Sequence, residues 1–308
     1  MKKGLVIRST GSWYDVRSEG GSLWHCRLRG KFKIQGLKVT NPIAVGDRVL
    51  WNIEDENEQR GIISGIEPRD NYIVRASVHK TAHAHILAAN IDQVIVIATL
   101  TFPRTSLGFI DRVLITAESF RIPAVIIFNK QDLFDDETKQ YQQQIIDLYQ
   151  RIGYKCFTTS AVTGEGMVEF EELLTQKTSL LAGHSGVGKS SLVNVIAPEL
   201  DLRTKEVSTF ANKGVHTTTF AEMFEIADGS YIIDSPGIKE LGLSDTSKEE
   251  IPHYFPEIRG LLNQCKFHNC LHIDEPKCAI KDAVEAGTIA MSRYESYLSM
   301  AGGHDNRR

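Results

Sequence analysis

The spacing of apolar side chains changes character along this chain. Up to about residue 67 they come in short alternating runs, broken by turn signals at Glu19-Gly20-Gly21, Asn41-Pro42 and Glu54 to Gly61. That pattern predicts short strands in a small barrel. The clearest run is 27–34, where Leu28, Phe32 and Ile34 alternate with Arg27, Arg29, Lys31 and Lys33. One face of such a strand packs inward and the other presents charge. From about residue 71, continuous apolar runs alternate with helical spacing, which predicts a parallel sheet covered by helices. Strands are expected at 91–99, 122–128, 154–158 and 177–182, and helices at 107–120, 136–152, 167–174 and 191–197. Residues 202–219 have no apolar periodicity and read as a loop. Residues 220–226 and 231–234 then read as a hairpin around Asp228-Gly229. A smaller, cysteine-bearing segment begins near 248 and ends in the polar stretch AGGHDNRR. The expected division is thus a barrel at 1–67, an α/β domain at 71–245 and a small C-terminal α domain at 248–308.

One stretch organises the α/β part. Gly183-His184-Ser185-Gly186-Val187-Gly188-Lys189-Ser190, followed by Ser191, is a glycine, four free positions and then Gly-Lys-Ser, set between a predicted strand and a predicted helix. This is the phosphate-binding P-loop. Its backbone N–H groups wrap the phosphates, Lys189 reaches the β and γ oxygens, and the Ser190 hydroxyl binds Mg²⁺.

A P-loop alone says only nucleoside triphosphate, and the base must be read elsewhere. Asn129-Lys130-Gln131-Asp132 follows a predicted buried strand. A carboxylate at Asp132 can accept from guanine N1 and N2, a donor pair adenine lacks, while the Lys130 stem lies on the ring. GTP is therefore expected over ATP. Ser160-Ala161, also after a strand, matches a weaker element whose backbone meets the guanine oxygen. Asp234-Ser235-Pro236-Gly237 closes a strand, so that Asp234 supports the magnesium shell through water and the Gly237 N–H senses the γ-phosphate. Thr217, Thr218 and Thr219 lie on the 202–219 loop, and one of them is expected to complete that shell. The position after Gly237 is Ile238, with no glutamine to orient water, so slow intrinsic hydrolysis is expected. His216 is the candidate for orienting water, with a plain loop or partner-contact role as its alternative.

Composition narrows the class. With 308 residues, 42% hydrophobic and 24% charged, the chain is an ordinary globular protein of two or three domains. The apolar runs near 94–100 and 122–128 fall short of the roughly 18 residues that span a bilayer. The first ten residues hold too short an apolar run for a secretory signal, so a cytoplasmic protein without membrane contact is expected. The net charge of −4 is uneven: residues 1–67 carry eleven lysines and arginines against eight acids, and no acid occurs between Gly20 and Gly46. Lysines on a solvated strand face are common, but the missing acids favour phosphate contact by Arg27, Arg29, Lys31 and Lys33.

Three of the five cysteines crowd into Cys265-x4-Cys270-x-His272-x5-Cys278. That spacing suits one structural Zn²⁺ in a closed site with three thiolates and an imidazole. Such a metal staples a segment too small to bury much core. Lys266, His268 and Lys277 add positive charge on the surrounding loops.

Ordinary GTPases run P-loop, switch threonine, D-x-x-G, N-K-x-D and S-A. Here N-K-x-D at 129 and S-A at 160 precede the P-loop at 183 and D-x-P-G at 234, so the chain reads as circularly permuted. The segment after Gly237 then leads directly into the cysteine-bearing part, so loss of the γ-phosphate is expected to move that part.

A basic barrel, this permuted motif order and the cysteine–histidine knuckle together resemble the RsgA (YjeQ/YloQ) family of bacterial small-ribosomal-subunit biogenesis GTPases. The resemblance implies an N-terminal OB-fold, a central permuted P-loop GTPase and a C-terminal zinc domain. It also implies binding to the 30S subunit and its 16S rRNA, assistance in late maturation, and hydrolysis of GTP to GDP stimulated by the subunit. A monomer is the default expectation. Two other readings stay open: a P-loop metabolite kinase, which has no need of N-K-x-D, and a nucleotide-stabilised rRNA-binding assembly scaffold with little hydrolysis.

Overall fold

The structure is a computed structural model in which residues 1–30, 41–75, 85–200, 202, 221–234 and 246–303 are described. They form two compact bodies. The first draws on Met1–Ile95, Met167–Ala182 and Lys189–Leu241, and the second on Val96–Gly166, Gly183–Gly188 and Gly242–Arg308.

The first body starts with β1 (Lys2–Ser9), β2 (Tyr14–Ser18), β3 (Leu23–Leu28), β4 (Arg48–Asp55) and β5 (Arg60–Ile66). Their order β1-β2-β3-β5-β4 returns to β1, and only the β3–β5 pair is parallel. This closed five-stranded ring is the OB-fold barrel the family resemblance implied. Alternate residues fill it, with Val6, Tyr14, Val16, Trp24, Cys26, Val49, Trp51 and Ile63 all buried. The Trp24 and Trp51 rings lie 4.9 Å apart at its centre.

The expected strand at 27–34 needs correction. Its alternation holds at Arg27, Leu28 and Arg29, where Leu28 packs against the barrel core while the two arginines are exposed, and residues 31–34 lie outside the described residues. The strand, however, begins at Leu23 and stops at Leu28, because Gly30 takes φ 73° and turns the chain. A second antiparallel pair, β6 (Tyr72–Arg75) with β7 (His85–Ala89), was not expected from the sequence. Between barrel and pair, Arg69 grips the fully buried Asp47 through two bonds of 2.6 and 2.7 Å.

The remaining elements follow in chain order: β8 (Gln93–Ala98), α1 (Leu107–Ser119), β9 (Ala124–Asn129), α2 (Asp136–Ile152), β10 (Lys155–Thr159), α3 (Met167–Leu174), β11 (Thr178–Ala182), α4 (Lys189–Ile196), β12 (Glu222–Ala227), β13 (Ser230–Asp234), α5 (Pro256–Arg259), α6 (Ala279–Glu285) and α7 (Met291–Ala301). The apolar runs and helical spacings read from the sequence therefore fall on real elements. The helix after the P-loop starts at Lys189, two residues earlier than expected. Every residue of β8 is buried, as a parallel strand covered on both faces requires. The chain passes between the bodies along β8, whose residues 93–95 belong to the first and 96–98 to the second.

In the first body the order continues β8-β11-β13-β12-β1. The β12–β13 hairpin turns at Gly229, with φ 69°, and β1 pairs with β12 at Arg8↔Glu222, where Arg17 also forms an ion pair with Glu225. In the second body β10 and β9 run parallel, in a register that sets Thr159 beside Asn129. Ser106 caps α1 by accepting the Phe109 N–H at 3.2 Å, and Asp135 caps α2 through the Thr138 N–H at 2.8 Å. The residues after 246 fold around Ile251, Phe255, Ile258, Ile280, Tyr294 and Tyr297, and Ile115 of α1 belongs to the same cluster. Among the described residues no helix is long and apolar enough to cross a membrane.

Candidate functional site: a nucleotide loop and a metal knuckle

The register of β9 and β10 brings the N-K-x-D and S-A loops out side by side. Asn129, 1% exposed, ends β9. Its amide donates to the Val187 carbonyl at 2.8 Å and accepts from the Thr159 hydroxyl at 3.0 Å. Asn129 thus ties N-K-x-D to the P-loop, which in sequence lies 58 residues away. The approach is so close that Gly188, at φ 96°, leaves no space for a side chain, since a Cβ would overlap the Asn129 amide nitrogen. Gly183 is confined in the same way by the Ile97 carbonyl.

Lys130 sits in the left-handed region at φ 69°, and its ammonium donates to the Phe102 carbonyl at 2.8 Å. The next residues form a 3₁₀ turn, Gln131–Leu133, carrying Asp132. The Ser160 hydroxyl donates to Asp132 Oδ1 at 2.5 Å and accepts from the Val162 and Thr163 N–H groups at 3.3 and 3.2 Å. The sequence reading gave Ser160 and Ala161 only a backbone role. The structure adds that the Ser160 side chain fixes the Asp132 carboxylate, while Ala161 stands next to it in the same turn.

Within the P-loop, Ser185 and Gly186 are exposed and Val187 is buried, while the His184 ring stacks on Phe109 with centroids 4.0 Å apart. Lys189, Ser190 and Ser191 are the first three residues of α4. Asp234 ends β13 level with Leu181 of β11, just before the glycine loop begins. Ser190 and Asp234, the residues expected to serve magnesium, are both described, Ser190 in the first turn of α4 and Asp234 at the end of β13. His216, Thr217, Thr218, Thr219 and Gly237 lie outside the described residues.

On the barrel, Arg27 is engaged with Glu54 and Arg29 lies in the bend after β3, whereas Lys31 and Lys33 lie outside the described residues.

The four expected metal ligands converge. The donor atoms of Cys265, Cys270, His272 and Cys278 all lie within 4.8 Å of one another. Cys265 Sγ is 3.9 Å from Cys278 Sγ and 3.5 Å from His272 Nδ1, and Cys278 Sγ is 3.4 Å from the same nitrogen. A tetrahedron with zinc–sulfur bonds of about 2.3 Å has edges near 3.8 Å, so these residues fit zinc. Burial pushes the Cys270 thiol up to about 12, raises that of Cys278 and lowers the pKa of His272. Burial thus favours the neutral forms of Cys270, Cys278 and His272, and a metal must displace thiol protons to bind.

The knuckle backbone is fastened from α7. Tyr294 donates to the His272 carbonyl at 2.6 Å, and Tyr297 donates to that of Leu271. From within the loop, Glu275 accepts the Leu271 and Ile273 N–H groups at 2.8 and 2.9 Å. Partial burial works against ionisation of Glu275, but these bonds outweigh it and hold the carboxyl below its ordinary range.

A buried charge network went unseen in the sequence. Arg293 of α7 is 1% exposed, donates to Asp111 of α1 at 2.6 Å, and grips Glu257 through bonds of 2.6 and 3.2 Å. Tyr149 of α2 donates to the same Asp111 oxygen at 2.7 Å. Burial opposes the charge on Arg293, yet the two carboxylates hold its pKa above the ordinary value. A lone arginine in a polar helix pattern gives no sequence signal for this role.

Known proteins share this arrangement. Residues 66–244 match the model of the RsgA GTPase, and residues 3–63 that of the RsgA N-terminal domain. A small ribosomal subunit biogenesis GTPase RsgA from Christiangramia forsetii is 50% identical over 308 residues, covering 99% of this chain and 98% of that protein. Its counterpart from Cytophaga hutchinsonii is 51% identical, covering 99% and 100%. The crystal structure of YjeQ from Thermotoga maritima matches with a TM-score of 0.78 at 38% identity, covering 100% of this chain and 99% of that one. The structure of YloQ, described as a circularly permuted GTPase, matches at 0.74 and 29%, covering 100% and 96%. With two family models over its barrel and α/β parts and relatives about 50% identical over nearly its whole length, the chain belongs to the RsgA GTPase family of P-loop GTP hydrolases.

Proposed function

We propose that this protein hydrolyses GTP to GDP and phosphate as a factor in biogenesis of the small ribosomal subunit, binding the 30S particle and its 16S rRNA, with turnover stimulated by that particle. The relatives named for this process support the reading, since they match the chain almost end to end. The observation that carries the nucleotide part is the joined geometry of Asp132, Ser160, Asn129 and Val187, which fixes a guanine-reading carboxylate to the phosphate loop.

In this reading 1–67 and its Arg27, Arg29, Lys31 and Lys33 meet RNA, 71–245 holds the nucleotide and 248–308 is the zinc domain. Residues Gly183 to Ser191 hold the phosphates. Ser190, Asp234 and a threonine among 217–219 hold Mg²⁺, which neutralises charge on the transferring phosphoryl group. Gly237 senses the γ-phosphate and His216 orients water. Cys265, Cys270, His272 and Cys278 hold one structural zinc. The protein acts as a cytoplasmic monomer.

The test is GTP hydrolysis by the purified protein with and without 30S subunits, with Lys189→Ala as the blank. Stimulation by the subunit that disappears in Lys189→Ala is expected. Equal 30S binding in the GDP and GTP forms, with no stimulation, would point instead to a nucleotide-stabilised scaffold.

A further inference from the structure

The sequence offers one route from nucleotide to the C-terminal part, the segment after Gly237, which lies outside the described residues. The structure contains a second route that needs no switch segment. It starts in the P-loop, where His184 lies against Phe109, a residue of α1 that is 4% exposed. Two positions on, the same helix presents the fully buried Asp111 to Arg293 at 2.6 Å. Arg293 is locked a second time by Glu257 and lies 4.7 Å from the Phe255 ring. The next residues of its helix, Tyr294 and Tyr297, hold the carbonyls of His272 and Leu271 in the knuckle. Every member of this series belongs to one compact body, and the glycine loop 183–188 is part of that body although α4 is not.

We propose that Arg293 is a positioning residue for the phosphate loop, acting through Asp111, α1 and the Phe109–His184 stack. Nucleotide occupancy and the order of the zinc knuckle are thereby coupled. The coupling rests on the GTP-binding reading above and deepens it. A rigid helix held near its N-terminus by a ring contact and, two residues on, by a dehydrated ion pair transmits small displacements between the two, because packed interiors shift between discrete arrangements and do not deform continuously. Linkage requires the effect to run both ways.

Two full-length, zinc-loaded variants test this. Phe109→Leu keeps apolar volume but removes the ring facing His184. Arg293→Lys keeps the charge but loses the forked contact with Asp111 and Glu257. Amide hydrogen exchange across 265–297 is compared with GDP and with a nonhydrolysable GTP analogue, alongside nucleotide affinity measured with a fluorescent GDP. In the unaltered protein, the exchange of Leu271 to Ile273 is expected to differ between nucleotides by about fivefold or more. In Phe109→Leu that difference collapses, while the knuckle keeps its zinc and GDP still binds. In Arg293→Lys nucleotide affinity falls about three- to tenfold, and adding Phe109→Leu brings no further loss, because both act on one series.

A knuckle difference that persists in Phe109→Leu, or losses that simply add in the double variant, would overturn the proposal. So would unaltered protein that binds GTP but shows no difference at the knuckle. Failure of the unaltered protein to bind GTP would instead overturn the functional reading on which the proposal rests.

Discussion

The loops carrying Asp132 and Ser160 and the cysteine–histidine knuckle are both built from irregular chain, but they are completed by different means. Around the base site the chain satisfies itself: Asp132 has Ser160, Asn129 has Val187 and Thr159, and Lys130 has the Phe102 carbonyl. In the knuckle, four ligand atoms from three cysteines and a histidine crowd within 4.8 Å of one another. The thiols of Cys270 and Cys278 are moreover disfavoured as thiolates by burial. One site's polar side chains are paired within the protein, whereas the other's donor atoms converge on a space that fits a metal ion. Preformed polar networks lower the ordering cost of binding, whereas a metal-built loop takes its folding energy from the ion.

The sharpest way to break this contrast is to remove the metal. Cys278→Ser, or strong chelation, is expected to unfold the residues around the knuckle, since structural zinc supplies on the order of 10 kcal/mol in small zinc peptides. Metal analysis should give one zinc per unaltered chain, and thermal unfolding should show loss of the C-terminal transition while the base site still forms. A smaller loss is expected from Arg293→Met, which leaves Asp111 and Glu257 buried without their cation and costs about 3–5 kcal/mol. Denaturant unfolding measures it.

On the preorganised side, Asp132→Asn is expected to weaken GTP binding about 100-fold or more, because a site built to accept two guanine hydrogen bonds then presents a donor. Recovery with xanthosine triphosphate, whose base offers an acceptor at that position, would sharpen the result. Ser160→Ala leaves the carboxylate in place but unaimed, so an effect of about 1 kcal/mol, or five- to tenfold in Kd, is expected from titration with a fluorescent nucleotide. The smallest effect belongs to Glu275. Its folded pKa is depressed, so its contribution is complete above the unfolded value of about 4.3 and is lost as pH falls through the lower folded value. Faster exchange of the Leu271 and Ile273 amides in Glu275→Gln, with little change at pH values below that window, would check it.

The contrast also explains which parts were legible in the sequence. Base and phosphate motifs depend on local geometry, a strand end followed by a turn, so apolar runs plus short patterns were enough to place Asn129, Asp132 and Gly183 to Ser190. Ligand spacing made the knuckle visible for the same reason. The tethers were hidden because they join distant segments. Nothing in the sequence around Arg293 announces Asp111, a partner 182 residues away. Tyr294 and Tyr297 look like ordinary helix residues until the carbonyls they hold are seen. The pair β6 and β7 was missed because each strand is only four or five residues long, too short for periodicity to register. The barrel strand near Arg27 shows the opposite case. Its alternation gave the faces of Arg27 and Leu28, but a single glycine in a left-handed turn follows the strand's end at Leu28.

One feature of the first body bears on how the protein survives its own synthesis. Strand β12 would otherwise leave unpaired N–H and C=O groups along the outside of the hairpin that ends at Asp234. Strand β1 closes the start of that edge at Glu222, and Arg17 secures it against Glu225. Open strand edges recruit other strands and seed aggregation. The barrel is therefore also an edge guard, and a polypeptide shortened to begin after residue 67 should be prone to precipitate even though its nucleotide motifs are complete.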